Sequence, residues 1–226
     1  MKYPEGTYIR NNTAARVNHW ITGICFVLLL LSGLSMFHPF LFFLSDLFGG
    51  GQWTRAAHPW IGCVLFVSYL GLIVQFWQDN LPSRDDVKWA AKIDRVLLNE
   101  EEGVPEVARF NAGQKVVFWA MTLLVPTLFV TGLAIWEVYF FTFTSIEVQR
   151  VALLIHSLGA MAAILVWVIH VYAALWIKGS IQAMTQGHVT PGWAWRHHRK
   201  WFRSLVATGS PGPTPRRMAL PPKHSP

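Results

Sequence analysis

Four histidines lie within apolar stretches of this 226-residue chain, where an ionisable side chain is costly and therefore usually functional. They are His19, His58, His156 and His170. His156 and His170 lie 14 residues apart in one uninterrupted apolar run. At ~100° and ~1.5 Å per residue, this spacing puts both on nearly the same helix face, about 21 Å apart along the axis. One helix would then present one imidazole towards each side of a membrane. That layout is typical of a cytochrome that binds two b-type haems.

The composition favours a membrane protein before any motif is considered. Hydrophobic residues make up 53% of the chain and charged residues only 14%, whereas soluble domains carry about a quarter charged residues. The net charge of +7 does not indicate nucleic-acid binding, because the basic residues cluster in loops and tails around the apolar stretches. The two cysteines, Cys25 and Cys63, form no Cys-x-x-Cys-His motif, so a haem would be b-type rather than covalently attached.

Four stretches are long enough to cross a hydrocarbon core, which takes about 20 residues. They lie at about 17–37, 56–77, 115–136 and 151–177. We therefore predict an all-α membrane protein, a four-transmembrane-helix bundle that binds two b haems within residues 1–203. The remaining segment, 204–226, is rich in Pro, Ser and Gly and is predicted to be a disordered cytoplasmic tail. The first stretch lacks a small-residue cleavage site after it and is predicted to be a retained anchor.

The distribution of Lys and Arg predicts the orientation of the chain in the membrane. The N-terminal tail, the loop between the second and third spans and the C-terminal tail hold 17 of the 19 basic residues. The other two connections hold only Arg55 and Arg150. By the positive-inside rule, both termini and the middle loop are predicted to be cytoplasmic, in a multi-pass protein of the bacterial inner membrane.

This topology pairs the four histidines by depth. His19 and His170 lie near the cytoplasmic ends of their spans and form a predicted inner pair. His58 and His156 lie towards the opposite side and form a predicted outer pair. Each pair could supply both axial ligands of one haem iron. Two imidazoles leave the iron no open position, which favours electron transfer over oxygen chemistry. The alternative is that each histidine makes an ordinary interhelical hydrogen bond.

Small and basic residues near the histidines fit the same interpretation. Small residues come one turn after each histidine and would give clearance to a flat macrocycle, although glycine and alanine are common in membrane helices. They are Gly23 after His19, Gly62 after His58, Gly159 and Ala160 after His156, and Ala173 and Ala174 after His170. Arg16 and Arg55 precede His19 and His58 by one turn, where haem propionates would need a cation. The alternative for both arginines is a side chain that reaches to the interface.

Several segments together resemble the gamma subunit, cytochrome b556, of respiratory membrane-bound formate dehydrogenases. The resemblance covers about residues 10–203. It is carried by these segments: NHWITGICF, RAAHPWIG, RFNAGQKVVFW, VTGLAIW, LLIHSLGA, IHVYAALWIKGSIQAM and RHHRKWF. The NAGQK sequence before the third span and the His156–His170 spacing are the most specific of these features.

The resemblance implies ligands, partners and a pathway. It implies that His19 with His170, and His58 with His156, ligate two haems b. It also implies a quinone pocket formed by Asn111, Gly113, Gln114 and His170. The partners would be an iron–sulfur beta subunit and a molybdenum- or tungsten-containing alpha subunit that oxidises formate. This chain would carry electrons from the periplasmic iron–sulfur subunit across the membrane to quinone.

Alternatives remain at this stage. Asn111 and Gln114 could simply cap the third span. The chain could be the di-haem anchor of a nickel–iron hydrogenase or a thiosulfate reductase, or a haem-free four-helix protein that uses its histidines for protons or metal. The HHRKWFR segment is predicted to be a surface docking patch, with metal binding by His197 and His198 less favoured. Pro126 is predicted to kink the third span.

Overall fold

The computed structural model describes residues 6–98, 103–140 and 143–208. Its α-helices, in chain order, are α1 Thr13–Phe37, α2 Gly51–Phe76, α3 Arg84–Ala90, α4 Ile93–Leu97, α5 Ala112–Ala134, α6 Glu137–Phe140, α7 Ile146–Trp176, α8 Ser180–Thr185, α9 Pro191–His197 and α10 Arg199–Ala207. Two 3₁₀-helices, Pro39–Phe48 and Gln78–Asn80, follow α1 and α2. Strand β1, Tyr8–Ile9, pairs antiparallel with β2, His188–Val189.

The four long helices α1, α2, α5 and α7 are the predicted spans, and the all-α four-helix architecture is confirmed. Each begins a few residues earlier than the apolar pattern predicts, and polar residues cap several of them. The Asn12 side chain accepts a hydrogen bond from the Ala15 amide at 2.7 Å, and Ser145 caps α7 in the same way. α5 continues as one helix through Pro126.

The bundle consists of two helix pairs. α1 packs mainly on α2, and α5 mainly on α7, while α2 and α5 join the two pairs. The core at this junction contains the buried side chains of Leu65, Tyr69, Leu72 and Val125. α1 and α7 have few direct contacts, among them the stacked rings of Phe26 and Trp167, whose centroids lie 5.8 Å apart. The space between α1–α2 and α7 is therefore bordered by side chains rather than by closely packed backbones.

On the side of the chain termini, the N-terminal strand joins the segment that follows α7. We call this unit, formed by β1, β2 and helices α8–α10, the terminal cap. The amides of Arg10 and Asn11 both donate to the Gly187 carbonyl, at 2.8 and 3.1 Å. The Asn11 side chain donates to the Ala183 carbonyl at 3.2 Å. These bonds join residues more than 170 positions apart in sequence, so the start of α1 is held by the end of the chain.

Arg10 lies at the centre of the terminal cap, with only 5% of its surface exposed. Its guanidinium lies over the Trp201 ring at 4.5 Å and donates a hydrogen bond to the Arg109 carbonyl. Burial, together with the charge of Arg109, lowers the pKa of Arg10 to about 9. The side chain thus remains a cation at neutral pH, although it lies in an apolar, aromatic setting.

One residue of HHRKWFR, the segment predicted to be a surface docking patch, lies in the interior: His198. It is 2% exposed, and burial, with the nearby Arg10 charge, lowers the pKa of His198 to about 3. The ring is therefore neutral, and its Nδ1–H donates to the Ala108 carbonyl at 2.9 Å. The sequence of this segment cannot show that its second histidine contacts the loop before α5, 90 positions away.

Two ion pairs fasten the terminal cap to the loop between α2 and α5, and a third, Arg109–Asp79 at 2.9 Å, lies within that loop. The α10 pairs are Lys200–Asp85 at 2.9 Å and Arg203–Glu106 at 3.0 Å. α10 runs to Ala207, four residues into the predicted disordered tail, and residues 209–226 of that tail lie outside the described residues.

Gly187→Ala is expected to open the terminal cap. Gly187 has φ of +85°, and an added Cβ would lie 2.7 Å from the Asn11 carbonyl oxygen. A strained backbone of this kind costs about 1–3 kcal/mol. The variant should unfold at lower temperature in detergent and should be cleaved faster by protease near residues 8–11. Gly192→Ala is the matched control, because a Cβ there meets nothing within 4 Å. Equal stability of both variants would contradict the assignment.

Candidate haem sites

The structure brings the four histidines together in the two predicted pairs. The rings of the inner pair, His19 on α1 and His170 on α7, have centroids 6.1 Å apart. Those of the outer pair, His58 on α2 and His156 on α7, lie 6.4 Å apart. One helix therefore contributes to both pairs, and α1 and α2 contribute one histidine each.

These separations fit one metal ion between the two rings of each pair. A metal–imidazole bond is about 2 Å and the coordinating nitrogen lies about 1 Å from the ring centre, so two rings that share one iron lie about 6 Å apart. Direct stacking or a direct ring–ring hydrogen bond would bring the rings closer. The pairs thus fit axial ligation of a haem iron, the role that the sequence predicts for them.

The glycines beside the histidines leave room for a flat group. An added Cβ at Gly23 or at Gly62 meets nothing within 4 Å, so the helix surface one turn after His19 and His58 is open. Gly159, one turn after His156, differs because its Cβ position lies 3.4 Å from a Leu128 methyl and so packs on α5. The clearance interpretation therefore fits α1 and α2 but not Gly159.

The outer histidines are held by hydroxyl groups from neighbouring helices. The Ser32 Oγ on α1 lies 2.7 Å from His58 Nδ1, and the Thr131 Oγ1 on α5 lies 3.0 Å from His156 Nδ1. Each hydrogen bond engages Nδ1, so the Nε2 atom is the ring nitrogen left to bind a metal. The sequence reasoning missed both hydroxyls. The signal available was a repeated Ser/Thr-Gly-Leu triplet, at residues 32–34 and 131–133.

The inner pair has no such arrangement within the part of the chain that the structure describes. The Nδ1 atom of His19 is buried without a hydrogen-bond partner there. His170 lies on a more exposed part of α7 than His156. The indole ring of Trp20 stands edge-on to His19, with centroids 5.8 Å apart. The two pairs are thus similar in ring separation but different in polar surroundings.

The two arginines predicted to contact haem propionates lie in different surroundings. Arg16 is buried, and its guanidinium donates to the Thr185 carbonyl at 2.6 Å and to the Thr13 hydroxyl at 3.2 Å. It therefore links α1 to the terminal cap. Arg55 is exposed on the first turns of α2. Propionate contact by either residue stays a prediction.

The NAGQK segment forms a capping box at the start of α5. The Asn111 Oδ1 accepts from the Gln114 amide at 2.8 Å, and the Gln114 Oε1 accepts from the Asn111 amide at 3.0 Å. The capping alternative is therefore present in the structure. Gly113 packs beside the Trp89 ring, at 3.6 Å from its Cβ position. Within the described residues, no hydrogen bond or ring contact joins this segment to His170, so the quinone role of these four residues stays a prediction.

A membrane-spanning four-helix bundle whose histidines face each other in pairs defines the class of membrane cytochromes b. The comparison with known families agrees, because residues 10–187 match the family described as prokaryotic cytochrome b561. The chain belongs to that family. It is therefore a membrane protein that binds haem b and has a role in electron transfer.

Individual relatives are more specific. The chain is 43% identical over 202 residues to the formate dehydrogenase cytochrome b556(fdo) subunit of Escherichia coli K12, covering 89% of this chain and 95% of that one. It is 39% identical over 197 residues to the nitrate-inducible cytochrome b556(Fdn) subunit of the same strain, covering 87% and 91%. The cytochrome b556 subunit from Haemophilus influenzae is 38% identical over 198 residues, covering 88% and 83%. The resemblance predicted from the motifs is confirmed.

Gly62→Leu is expected to reduce haem binding. Its side chain would occupy the open helix surface one turn after His58, while the helix itself would tolerate leucine well. The haem-to-protein ratio of the purified chain, measured from the pyridine haemochrome, should fall relative to the wild type. Val64→Leu on the same helix is the control, because Val64 is 52% exposed and lies six positions after His58. An unchanged ratio in Gly62→Leu would show that no macrocycle lies against this surface.

Proposed function

We propose that this chain is the di-haem cytochrome b subunit of a formate dehydrogenase and carries electrons across the inner membrane to quinone. The observation that carries the proposal is the presence of two separate histidine pairs, at 6.1 and 6.4 Å, in a chain 43% identical to a formate dehydrogenase cytochrome b556 subunit. Haem b held between two imidazoles supplies one-electron chemistry without an open coordination position.

The spacing of the two histidine pairs along the bundle supports this proposal. α7 holds one histidine of each pair, and the 14-residue spacing corresponds to about 21 Å along its axis. The other histidine of the inner pair, His19, lies near the beginning of α1, and that of the outer pair, His58, lies near the beginning of α2. These two helices run in opposite directions. The imidazoles would bind and orient the haems. The apolar side chains around them would keep water away from both sites. Two sites so arranged support electron transfer through most of the membrane thickness.

The proposed direction of transfer follows from the charge bias of the sequence. The side with the terminal cap carries most of the basic residues and is proposed to be cytoplasmic. The outer pair would then receive electrons from an iron–sulfur beta subunit, and formate would be oxidised in a molybdenum- or tungsten-containing alpha subunit. Inward electron transfer, with protons taken up from the cytoplasm by quinone, would work against about 2.3 kcal/mol per 100 mV for each electron.

We propose that quinone binds at the start of α5, beside the inner pair. The capping box occupies the Gln114 carbonyl oxygen, and the amide Nε2 is the group suited to donate to a quinone oxygen. A cavity of about 260 Å³ flanks this segment, with Trp89, Phe110 and Lys115 among its lining residues. Lys115, in the first turn of α5, is buried and pairs with Asp86 at 2.8 Å. Both residues line the cavity, so its wall includes an ion pair next to the start of α5.

A di-haem anchor for another oxidoreductase, a nickel–iron hydrogenase or a thiosulfate reductase, is the second candidate. It is favoured by the breadth of the family match, which defines a membrane cytochrome b rather than one enzyme complex. The subunits that copurify with the chain distinguish the two proposals.

The purified protein is expected to contain two low-spin b haems per chain. Because the histidines form two pairs, His58→Ala and His156→Ala should each remove the same spectral component, and His19→Ala should remove the other. Reduced-minus-oxidised spectra and haem content check this expectation. A wild-type content near one, or loss of an identical component in the His58 and His19 variants, would contradict it.

Gln114→Leu is expected to slow reoxidation of the haems by quinone while formate still reduces them. A lost hydrogen bond to a buried carbonyl costs about 1–3 kcal/mol, which corresponds to roughly five- to hundredfold weaker binding. Gln114→Glu is the informative companion, because glutamate preserves the capping box but lacks the amide donor. Stopped-flow reoxidation should be slow in both variants. Slow reoxidation in Gln114→Leu alone would assign the residue to helix capping and move the quinone site elsewhere.

A further inference from the structure

In the contacts of Ser32 and Thr131 with the outer histidines, the donor and the acceptor can be assigned. The Ser32 Oγ–H donates to the Leu28 carbonyl at 2.7 Å, and the Thr131 Oγ1–H donates to the Thr127 carbonyl at 2.7 Å. A hydroxyl has a single hydrogen, so its remaining interaction must be as an acceptor. Each oxygen therefore accepts from the Nδ1–H of its histidine, at 2.7 Å for His58 and 3.0 Å for His156.

These two hydrogen bonds select the tautomer of both outer rings. With the proton on Nδ1, the Nε2 atom of each ring carries the lone pair that a metal requires. An acceptor on Nδ1–H also makes the imidazole a more basic ligand. A more basic ligand stabilises ferric over ferrous iron, since it donates more electron density to the metal.

The residue after each hydroxyl supports the same ring. Gly33 and Gly132 follow Ser32 and Thr131, and a Cβ at these positions would lie 3.5 Å from His58 Cε1 and 3.3 Å from His156 Cε1. Serine or threonine followed by glycine thus forms one local unit, which holds the ring nitrogen and gives space to the ring carbon. One such unit on α1 contacts His58, and one on α5 contacts His156.

The inner pair provides the contrast. Within the described residues, the buried Nδ1 of His19 has no acceptor, and no hydrogen bond of the His170 ring is present. The inner and the outer histidines therefore differ in the hydrogen bonds of their Nδ1 atoms. This difference comes from the side chains of the neighbouring helices, since all four ligands are histidines.

We propose that Ser32 and Thr131 are positioning residues that lower the reduction potential of the outer haem by accepting hydrogen bonds from its two axial histidines. The proposal rests on the two-haem function proposed above. A lower potential at the outer site makes the inward transfer of each electron more favourable. No proton moves in this effect, because the Nδ1–H remains in place in both the ferric and the ferrous state.

The test is an optical redox titration of the purified holoprotein and its Ser32→Ala and Thr131→Val variants. Removal of one acceptor should raise the midpoint potential of one haem component only, by up to ~59 mV. For one electron this shift corresponds to about a tenfold change in the ferric/ferrous ratio. The shift should be larger in Ser32→Ala, because the Leu128 carbonyl is a second acceptor near the His156 ring. Ser32→Thr and Thr131→Ser keep the hydroxyl and should restore the potential.

Two control variants remove a hydroxyl of the same helices that does not contact a histidine. Ser35 donates to the Ser32 carbonyl, and Thr127 donates to the Leu123 carbonyl. Ser35→Ala and Thr127→Val should therefore leave both potentials unchanged. Equal shifts in the controls, or equal shifts of both haem components, would overturn the proposal, as would unchanged potentials in Ser32→Ala and Thr131→Val.

Haem content, measured first, separates this proposal from the one on which it rests. A wild-type protein with one haem would refute the two-haem function itself. If Ser32→Ala loses the outer haem, Ser32→Cys replaces it in the titration, because a thiol fills similar space but is a weak acceptor. A raised outer potential in that variant supports the proposal, and an unchanged one overturns it.

Discussion

The desolvation of four imidazoles inside an apolar bundle is the constraint on which the rest of this structure depends. A polar ring at membrane depth must find a hydrogen-bond partner or a metal, since water is not available there. The bundle meets this requirement by packing tightly as α1 with α2 and α5 with α7, and loosely between α1 and α7. The histidines occupy the loose boundary, where ring pairs about 6 Å apart replace backbone contact. The loose packing between α1 and α7 thus provides the space in which the histidine pairs could bind haem.

The terminal cap applies a second constraint, at one end of α1. The first turns of α1 carry both Arg16 and His19, and Arg16 donates to the Thr185 carbonyl of the segment that follows α7. α7 carries His170, so both helices of the inner pair are attached to the same polar unit. The cation of Arg10, surrounded by Trp and Phe rings, lies at the centre of that unit. The relative position of the two inner histidines therefore depends on contacts between the two ends of the chain.

Local periodicity and charge account for the part of the fold that the sequence predicts correctly. The spans, the depth of each histidine within its own span and the cap at Asn111 depend on residues within a few turns of each other. The contacts that the sequence does not predict depend on how the helices rotate about their axes. Ser32 meets His58, 26 positions away, only because α1 and α2 pack with those faces together. Likewise, the pairing of Tyr8 with Val189 and the burial of His198 involve partners far apart in sequence, for which two-residue strands and a basic segment give no pattern.

The 13 residues between His156 and His170 limit how this protein can change in evolution. An insertion of one residue there would rotate one histidine by ~100° away from its partner, and an insertion of seven would restore the face but add about 10 Å of length. Neither change can be compensated by a loop, because both histidines lie on the same continuous helix. The connections between helices, by contrast, can lengthen at small entropic cost. Variation in length among homologous chains should therefore be confined to the connections and the termini. The number of residues between the two histidines of α7 should stay constant.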